Sequence, residues 1–193
     1  MRITDATAIR ALAHPVRLDL LELLAATGPA TAAQCGRALG VPQANCSFHL
    51  RQLAKYGFVE DAGPGGDKRE RKWRVTDPQR RLRIAANGDA VVQRQLERVV
   101  VEREMQAILG YVDRDDEESS AWQKSLMTAV AVMSAEEAAD VKQKVTSILE
   151  PYIARISAGG VRLQPGQQHV RYFMAATPLP SFDLVDNESD SDD

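Results

Sequence analysis

Basic residues are gathered around a glycine-rich segment between residues 59 and 76. In "VEDAGPGGDKRERKWRVT" five basic side chains follow GPGG, namely Lys68, Arg69, Arg71, Lys72 and Arg74. Lysine and arginine bind phosphate groups, and a slim glycine-rich tip can follow a nucleic-acid backbone or enter a minor groove. The pattern therefore predicts contacts with DNA phosphates, and a merely soluble charged hairpin is the alternative.

A second set of side chains with the chemistry of DNA recognition lies just before this segment. At helical spacing Cys46, Leu50 and Leu53 form an apolar face of residues 43–55. The opposite face carries Gln43, Ala44, Ser47, Phe48 and Arg51. Glutamine pairs with adenine, arginine with guanine or phosphate, and alanine or phenylalanine contacts a thymine methyl group. We predict that this face reads bases in a groove, and a solvated helix face is the alternative.

Catalytic and metal chemistry have no matching pattern in the chain. The histidines His14, His49 and His169 and the cysteines Cys35 and Cys46 show no CxxC or HExxH spacing. No nucleophile and base pair or phosphate loop is recognisable either. We expect no enzyme activity, no metal and no cofactor. Cys35 and Cys46 fall on inward helix faces, where packing is the commoner role and a redox switch the alternative.

The charge of the chain is divided unevenly between its two parts. The formal net charge is −3, but residues 1–83 hold 14 basic and 8 acidic residues, whereas residues 84–193 hold 10 and 19. Attraction to phosphate acts over about 10 Å, so the basic first part governs binding to a polyanion. No apolar run approaches the roughly 20 residues of a membrane span. A cytoplasmic protein without a membrane partner is expected.

The elements that position these residues follow from apolar periodicity. Helices are predicted over residues 5–13, 14–27, 30–39 and 43–55. Gly40 separates the last two helices, which is the arrangement of a helix-turn-helix. The extended segments on both sides of GPGG predict a β-hairpin. A hairpin directly after a helix-turn-helix is a wing, here over residues 59–75.

The second part of the chain is predicted to be helical. Its segments are a long helix over 89–114, a helix from Ser119 or Ser120 through Met133, a helix opened by the capping box "SAEE" at 134–137 and ending near residue 157, and a strand in 169–177. The long helix has an apolar stripe that needs a partner helix. Trp122, Met127, Met133 and Tyr152 fit either a core or a ligand pocket.

Three regions result from this division. They are a winged helix-turn-helix domain over 1–83, a helical dimerisation or ligand-sensing domain over 84–182, and an acidic tail over 183–193. The tail holds six acidic and no basic residues, which predicts disorder. The fold class is mainly α with a β-hairpin wing and a helical second domain that ends in a strand.

Three stretches resemble the ArsR-type winged-helix repressors. They are "IRALAHPVRLDLLELLA", "CGRALGVPQANCSFHLRQLAKYGFVE" and "KWRVT", within residues 5–76. The resemblance implies a homodimeric transcription regulator that inserts its fourth helix into the major groove of double-stranded DNA. Two-fold symmetry then predicts an operator that is an imperfect palindrome.

The sensing residues of that family are not matched. Its metal sensors carry Cys-x-Cys on the third helix, where this chain has Thr31 and Ala33, or acidic and histidine ligands on the dimer helix, and residues 89–114 contain no histidine. The resemblance therefore implies no metal response, and a small-molecule effector is left unidentified. The alternative function is a winged-helix module that docks an acidic protein partner.

Overall fold

The computed structural model describes residues 6–66, 70–77, 90–113, 127–156 and 160–179. This part of the chain is mostly helical, with a small antiparallel sheet after the helix-turn-helix. The elements in chain order are α1 (Ala6–Leu12), α2 (Pro15–Thr27), β1 (Ala30–Thr31), α3 (Ala32–Leu39), α4 (Gln43–Lys55), β2 (Val59–Pro64), β3 (Arg71–Val75), α5 (Ala90–Val112) and α6 (Ala135–Ile153). The predicted class, a winged helix followed by a helical region, is confirmed.

Local sequence signals fix the ends of the first helices. Pro15 occupies the first turn of α2, where its missing amide costs nothing, and Gly28 ends that helix with a positive φ of 83°. The prediction that α3 begins at residue 30 is wrong. The Thr31 side chain accepts a hydrogen bond from the amide of Gln34, and the Gln34 side chain bonds the Thr31 amide in return. This capping box starts α3 at Ala32 and leaves residues 30 and 31 extended.

The wing is part of a three-stranded sheet in the order β1-β3-β2, with both pairings antiparallel. The predicted hairpin is therefore confirmed, and the short strand β1 adds to it because Ala30 lies opposite Trp73. In the hairpin Val59 faces Val75 and Glu60 faces Arg74. Strand β1 directly precedes α3 and pairs with β3 of the wing. The sheet therefore connects the wing to the helix-turn-helix.

One apolar core holds the N-terminal elements together. It is formed by side chains from α1 to α5 and the wing, and its largest fully buried members are Phe58, Ile9, Leu12, Leu20, Leu24, Leu50, Leu53, Leu96, Val59 and Val92. Burial of each such side chain contributes about 1.5 to 3 kcal/mol. Leu18 is buried in α2, whereas Val16 and Leu23 of the same helix are half-buried. Val92 and Leu96 place the first half of α5 in this core.

The C-terminal predictions are only partly confirmed. Ser134 and Glu137 form the predicted capping box of α6, and no residue of α6 is buried. The predicted helix through Met133 is wrong over residues 127–133, which form no helix and are exposed. The apolar side chains of residues 127–133 are not covered by other described residues, and packing is what stabilises most short helices. Trp122 and the helix start at Ser119 or Ser120 lie outside the described residues.

The strand predicted over residues 169–177 is also wrong. Residues 160–179 contain no strand, and their backbone joins no sheet. The segment is instead held against α2, because the Val161 amide bonds the Ala26 carbonyl and the Arg171 guanidinium bonds Glu22. The acidic tail and its predicted disorder lie outside the described residues, as does the domain boundary near residue 83.

After α5, the described residues of the predicted second domain form no buried interior. Met127, Met133 and Tyr152 were predicted to line a core or a pocket, and all three are exposed, by 87%, 45% and 58%.

Among the described helices, none is both long and apolar enough to cross a membrane.

Candidate nucleic-acid interface

A tight turn sets the angle between the two helices of the motif. Gly40 ends α3 in the left-handed region with a φ of 65°, and the Val41 amide donates a hydrogen bond to the Gly36 carbonyl at 3.0 Å. A β-carbon on Gly36 would lie 2.7 Å from the Val41 carbonyl oxygen. Both glycines are therefore required here, one for its dihedral angle and one for the close approach. The turn brings Pro42 to the start of α4.

The predicted reading face of α4 points away from the core. Cys46, Leu50 and Leu53 are fully buried, as the periodicity predicts. On the other side Gln43, Ala44, Phe48 and Arg51 are exposed and Ser47 is half-exposed. All five predicted residues thus share one accessible side of the helix that follows the turn.

Two contacts shape this face. The Arg51 Nη1 donates a hydrogen bond to the Ser47 Oγ at 2.7 Å, one helical turn away. Phe48 is 48% exposed, and its ring meets the ring of His49 edge-on with 5.2 Å between centroids. The face therefore offers a guanidinium held along the helix next to an exposed aromatic ring.

Lys55 belongs to the same face and was missed by the sequence analysis. It is exposed in the last turn of α4, and its ammonium lies 5.7 Å from the centre of the Tyr56 ring. Residues spaced by 4, 7 and 11 share one side of a helix, and Ala44, Phe48, Arg51 and Lys55 have this spacing. Extending the periodicity by one turn would have identified it.

The basic residues of the wing are partly neutralised by acidic neighbours. Arg74 Nε donates to Glu60 Oε1 at 2.7 Å, and Arg71 lies 3.5 Å from Asp61. Both pairs join β3 to β2 across the hairpin: Glu60 stands directly opposite Arg74, and Asp61 is a diagonal neighbour of Arg71. Lys72 is half-buried, in register with Thr31 of β1. The other predicted phosphate contacts, Lys68 and Arg69, lie outside the described residues.

A partly buried polar cluster of His14, Arg17 and His49 supports the core side of α4. The rings of His14 and His49 lie 4.3 Å apart, and Arg17 Nε donates to His49 Nδ1 at 3.3 Å. Arg17 also donates to the Ala11 carbonyl at 2.5 Å. Burial, followed by the charge of Arg17, lowers the pKa of His14; burial, His14 and Arg17 lower the pKa of His49. The cluster thus favours neutral imidazoles and connects α4 to the junction of α1 and α2.

The two cysteines lie within the motif as buried thiols. Cys35 in α3 and Cys46 in α4 are both fully buried and free. Burial and the nearby Cys46 raise the pKa of Cys35 to about 11, and burial raises the pKa of Cys46. Since the thiolate is the reactive form of cysteine, this environment favours packing over the redox alternative.

An ion cluster fastens α5 to the helix-turn-helix domain. Arg103 of α5 donates to Asp19 Oδ1 at 2.6 Å, to Glu104 Oε1 at 2.7 Å and to Glu22. Arg171 bonds Glu22 from the C-terminal segment. Burial acts to raise the pKa of Glu22, but hydrogen bonds from Arg103 and Arg171 lower it overall. These charges bind α2, α5 and residue 171 together.

No group of three histidine, cysteine or acidic residues able to hold a metal occurs in the part of the chain that is described.

A protein-family model matches the segment that forms the motif. Residues 12–62, from the end of α1 into β2, match the family model described as a helix-turn-helix domain. The chain contains a helix-turn-helix domain. Among solved structures it is similar to the transcriptional regulator Tm0710 from Thermotoga maritima, with 16% identity, 73% of this chain and 79% of that chain covered, and a TM-score of 0.31. The comparison with curated proteins gave no match.

Proposed function

We propose that this chain is a homodimeric DNA-binding transcriptional regulator that represses its target genes. The observation that carries the proposal is the accessible face of α4 directly after the tight turn, within the segment that matches a helix-turn-helix domain. In such domains the second helix enters the major groove with its first residues toward the base edges. The likeness of residues 5–76 to ArsR-type repressors supports the same role.

The residues of α4 divide into two tasks. Gln43 and Ala44 lie in the first turn, where base edges are closest, and they specify sequence. Arg51 and Phe48 lie further along the helix, and the hydrogen bond to Ser47 limits the freedom of the guanidinium before DNA arrives. Less entropy is then lost on binding than for an unrestrained arginine.

The wing supplies phosphate contacts that are independent of sequence. Residues 59–75 run along the backbone or into the minor groove, with Arg71, Lys72 and Arg74 joined by Lys68 and Arg69. When phosphates approach, Arg71 turns from Asp61 to a phosphate or contacts both, and Arg74 does the same with Glu60. Exposed ion pairs of this kind are worth about 1 kcal/mol or less, so the exchange costs little.

A homodimer presents two copies of α4 to one side of the duplex. Two such helices read half-sites about 34 Å apart, which is one turn of DNA, and the operator is an imperfect palindrome. The exposed C-terminal apolar residues supply the surface on which copies associate.

Fluorescence anisotropy with fragments of genomic DNA tests the proposal. The purified chain is titrated against a labelled fragment pool at about 50 and 200 mM salt, and bound fragments are then sequenced. Regulator binding predicts an affinity loss of about 10³ or more between the two salt concentrations for six or more phosphate contacts. It also predicts enrichment of a two-fold symmetric site. Binding that is absent at low salt, or free of any enriched site, contradicts the proposal.

One observation favours a second function, that of a protein-interaction module. The ring of Phe48 is exposed, and aromatic residues are common anchors of protein interfaces. An acidic protein partner would then occupy the wing and α4. The anisotropy experiment separates the two functions, because such a module gives no enriched DNA site.

A further inference from the structure

His49 is a buried polar residue of α4, only 4% exposed, and it follows Phe48 of the accessible face directly in the chain. Its ring makes two aromatic contacts. The Phe48 ring meets it edge-on with 5.2 Å between centroids, and the His14 ring lies 4.3 Å away. Because Phe48 and His49 are neighbours on one helix and their rings touch, a displacement of His49 also displaces the face that we assign to DNA.

Arg17 connects His49 to the first two helices. Its Nε donates a hydrogen bond to His49 Nδ1 at 3.3 Å, and its Nη1 donates to the Ala11 carbonyl of α1 at 2.5 Å. From its place in α2, one guanidinium thus bonds both α1 and α4. Since α1 and α2 also pack against α4, Arg17 helps to fix the orientation of α4 in the domain.

The direction of the hydrogen bond determines the protonation state of His49. Arginine donates hydrogen bonds and has no acceptor, so Nδ1 of His49 is the acceptor. An imidazole accepts a hydrogen bond only when it is neutral, here with its own hydrogen on Nε2. The protonated ring carries hydrogens on both nitrogens and would also place a second positive charge against the guanidinium. The contact with Arg17 therefore exists only while His49 is neutral.

The groups nearest the ring also disfavour its protonation. Burial, followed by His14 and Arg17, lowers the pKa of His49. Burial lowers the pKa of Arg17, and Tyr56 acts to raise it. The Nδ1 of His14 is enclosed and has no hydrogen-bond partner among the described residues. A proton on His49 would thus face a histidine and an arginine.

The charges of the other elements around α4 are directed elsewhere. The charged side chains on α4 and on α1, α2, α3 and β2, which pack against it, are exposed or paired with other residues, namely Arg10, Asp19, Glu22, Arg37, Arg51, Lys55, Glu60 and Asp61. The buried thiols of Cys35 and Cys46 have a raised pKa and stay neutral. His14 and Arg17 are therefore the groups whose charge acts on His49.

We propose that Arg17 and neutral His49 are a positioning pair that holds α4 in its DNA-binding orientation, and that a proton taken up from solvent at His49 Nδ1 releases the helix. The inference rests on the proposed function and adds regulation of the same interface by pH. In this step Nδ1 gains an N–H bond and the hydrogen bond from Arg17 is lost. Other covalent bonds are unchanged.

The sign of the effect follows from the protons that each orientation binds. The held orientation keeps His49 below its ordinary pKa of 6.5, and release restores the ordinary value. The preference for the held orientation is complete above about pH 6.5 and is lost as the pH falls toward the lowered pKa. Acidification adds positive charge to a simple polyanion binder and strengthens its binding to DNA, whereas loss of the α4 orientation weakens it.

The pH profile of DNA affinity tests the pair. Anisotropy is measured at constant salt between pH 7.5 and 5.5 with the labelled genomic fragment that the parent binds best at pH 7.5. At pH 5.5 a released ring is about ten times more often protonated than neutral, so affinity can fall by up to about tenfold per chain. The parent is expected to lose at least threefold. Tighter binding at pH 5.5 than at pH 7.5 would overturn the inference.

Two substitutions of His49 separate its hydrogen bond from its titration. His49→Asn keeps an acceptor oxygen at the position of Nδ1 and takes up no proton, whereas His49→Leu has no acceptor. At pH 7.5 the asparagine variant is expected to bind at least threefold tighter than the leucine variant, and its affinity should not fall with pH. His169→Gln, at an exposed position, should keep the profile of the parent. An asparagine variant that keeps the parent's loss would overturn the inference.

Arg17→Met removes the donor and its charge but keeps a side chain of similar length. Its affinity should no longer fall with pH although His49 can still be protonated, a change that a merely structural arginine would not cause. Arg98→Met, at an exposed position of α5, serves as control and should keep the parent's profile. Circular dichroism gives the folded fraction at each pH, and affinities are compared per folded chain. The parent's profile in Arg17→Met would overturn the inference.

Amide spectra of the chain without DNA separate the inference from the proposed function. The Phe48 and Arg51 amide resonances of the parent should shift between pH 7.5 and 5.5 with the midpoint of the His49 ring, and should not shift in His49→Asn. If they do so and no DNA binds at any pH, the positioning pair stands and the regulator proposal fails. If DNA binds and these amides show no such shift, the regulator proposal stands and the pair fails.

Discussion

Gly36 and Val41 approach each other so closely that a β-carbon on Gly36 would lie 2.7 Å from the Val41 carbonyl oxygen. The contact joins the middle of α3 to the turn before α4. It involves backbone, which cannot rotate away as a flexible side chain can. The angle between α3 and α4 therefore depends on the absence of a β-carbon at residue 36.

Gly36→Ala is expected to destabilise the domain by about 1 to 3 kcal/mol, which is the usual cost of forcing an extra group into packed structure. It should also weaken DNA binding, because the turn must open to make room. Urea unfolding and anisotropy measure the two effects. Gly110→Ala in α5 is the control: a β-carbon there meets nothing within 4 Å, and alanine raises helix stability by up to about 1 kcal/mol. Equal stability of the two variants would contradict the role of the contact.

Gln43→Ala is expected to change which DNA sequences are preferred rather than overall affinity for DNA. Loss of one bidentate base contact costs about 1 to 3 kcal/mol at a single position of the operator and leaves binding to scrambled DNA unchanged. Selection from a randomised operator pool measures this. Gln143→Ala, an exposed glutamine in α6, should leave the preferred sequence intact. If Gln43→Ala weakens matched and scrambled DNA alike, Gln43 does not read a base.

Glu60→Gln is expected to strengthen DNA binding, because it removes the carboxylate that bonds Arg74 at 2.7 Å. A freed guanidinium adds about one phosphate contact, which steepens the plot of log affinity against log salt by about 0.9. Lys72→Ala should flatten that plot by a similar amount. Glu136→Gln makes the same charge change at an exposed position of α6 and serves as control. If Glu60→Gln leaves the slope of log affinity against log salt unchanged, Arg74 does not contact a DNA phosphate.

The sequence predicted the elements whose signals are local. Gly40, Pro15 and the alternation of apolar residues in 43–55 each act within a few residues, and α2, α4 and the hairpin appear where those signals place them. Strand β1 was missed because its pairing with Trp73 joins residues that are far apart in the chain. The carboxylates of Glu60 and Asp61 were likewise not recognised as partners of the wing arginines, since only the folded hairpin sets Glu60 opposite Arg74 and brings Asp61 near Arg71.

The C-terminal half was harder to predict for a physical reason. Helical periodicity predicts that an apolar stripe on a helix packs against another surface. It does not indicate whether that surface belongs to the same chain. Met133, predicted to lie in a core or to line a pocket, is exposed by 45%, and Val130 of the same predicted helix is exposed by 78%. Residues 127–133 are exposed among the described residues, and a segment without tertiary packing has little to keep it helical.

Arg103→Ala is expected to lower the free energy of unfolding by about 3 to 5 kcal/mol, because it leaves a buried carboxylate with weak compensation. The Arg103 side chain is only 11% exposed and the Glu104 side chain 8%, and the nearest atom of Arg171 is 3.5 Å from Glu104. Arg98→Ala breaks an exposed pair with Glu102 and should cost about 1 kcal/mol or less. Urea unfolding measures both. Similar small losses for the two variants would mean that water or another cation replaces Arg103.

Acidification is expected to destabilise the domain through His14 and His49. Both have a pKa below the ordinary value of 6.5 in the folded chain, His14 through burial and Arg17, and His49 through burial, His14 and Arg17. Below about pH 6.5 the unfolded chain therefore binds protons that the folded chain does not. The stability is complete above that pH and is lost as the pH falls toward the folded pKa values.

Each proton bound only by the unfolded chain lowers the free energy of unfolding by about 1.4 kcal/mol per pH unit. Urea unfolding between pH 7.5 and 5.5 measures the slope for the parent and for His49→Gln, which removes one titrating group from the cluster. The variant should show a shallower slope, whereas His169→Gln, at an exposed position in the C-terminal segment, should keep the slope of the parent. A slope that is unchanged by His49→Gln would assign the pH dependence to groups outside the cluster behind α4.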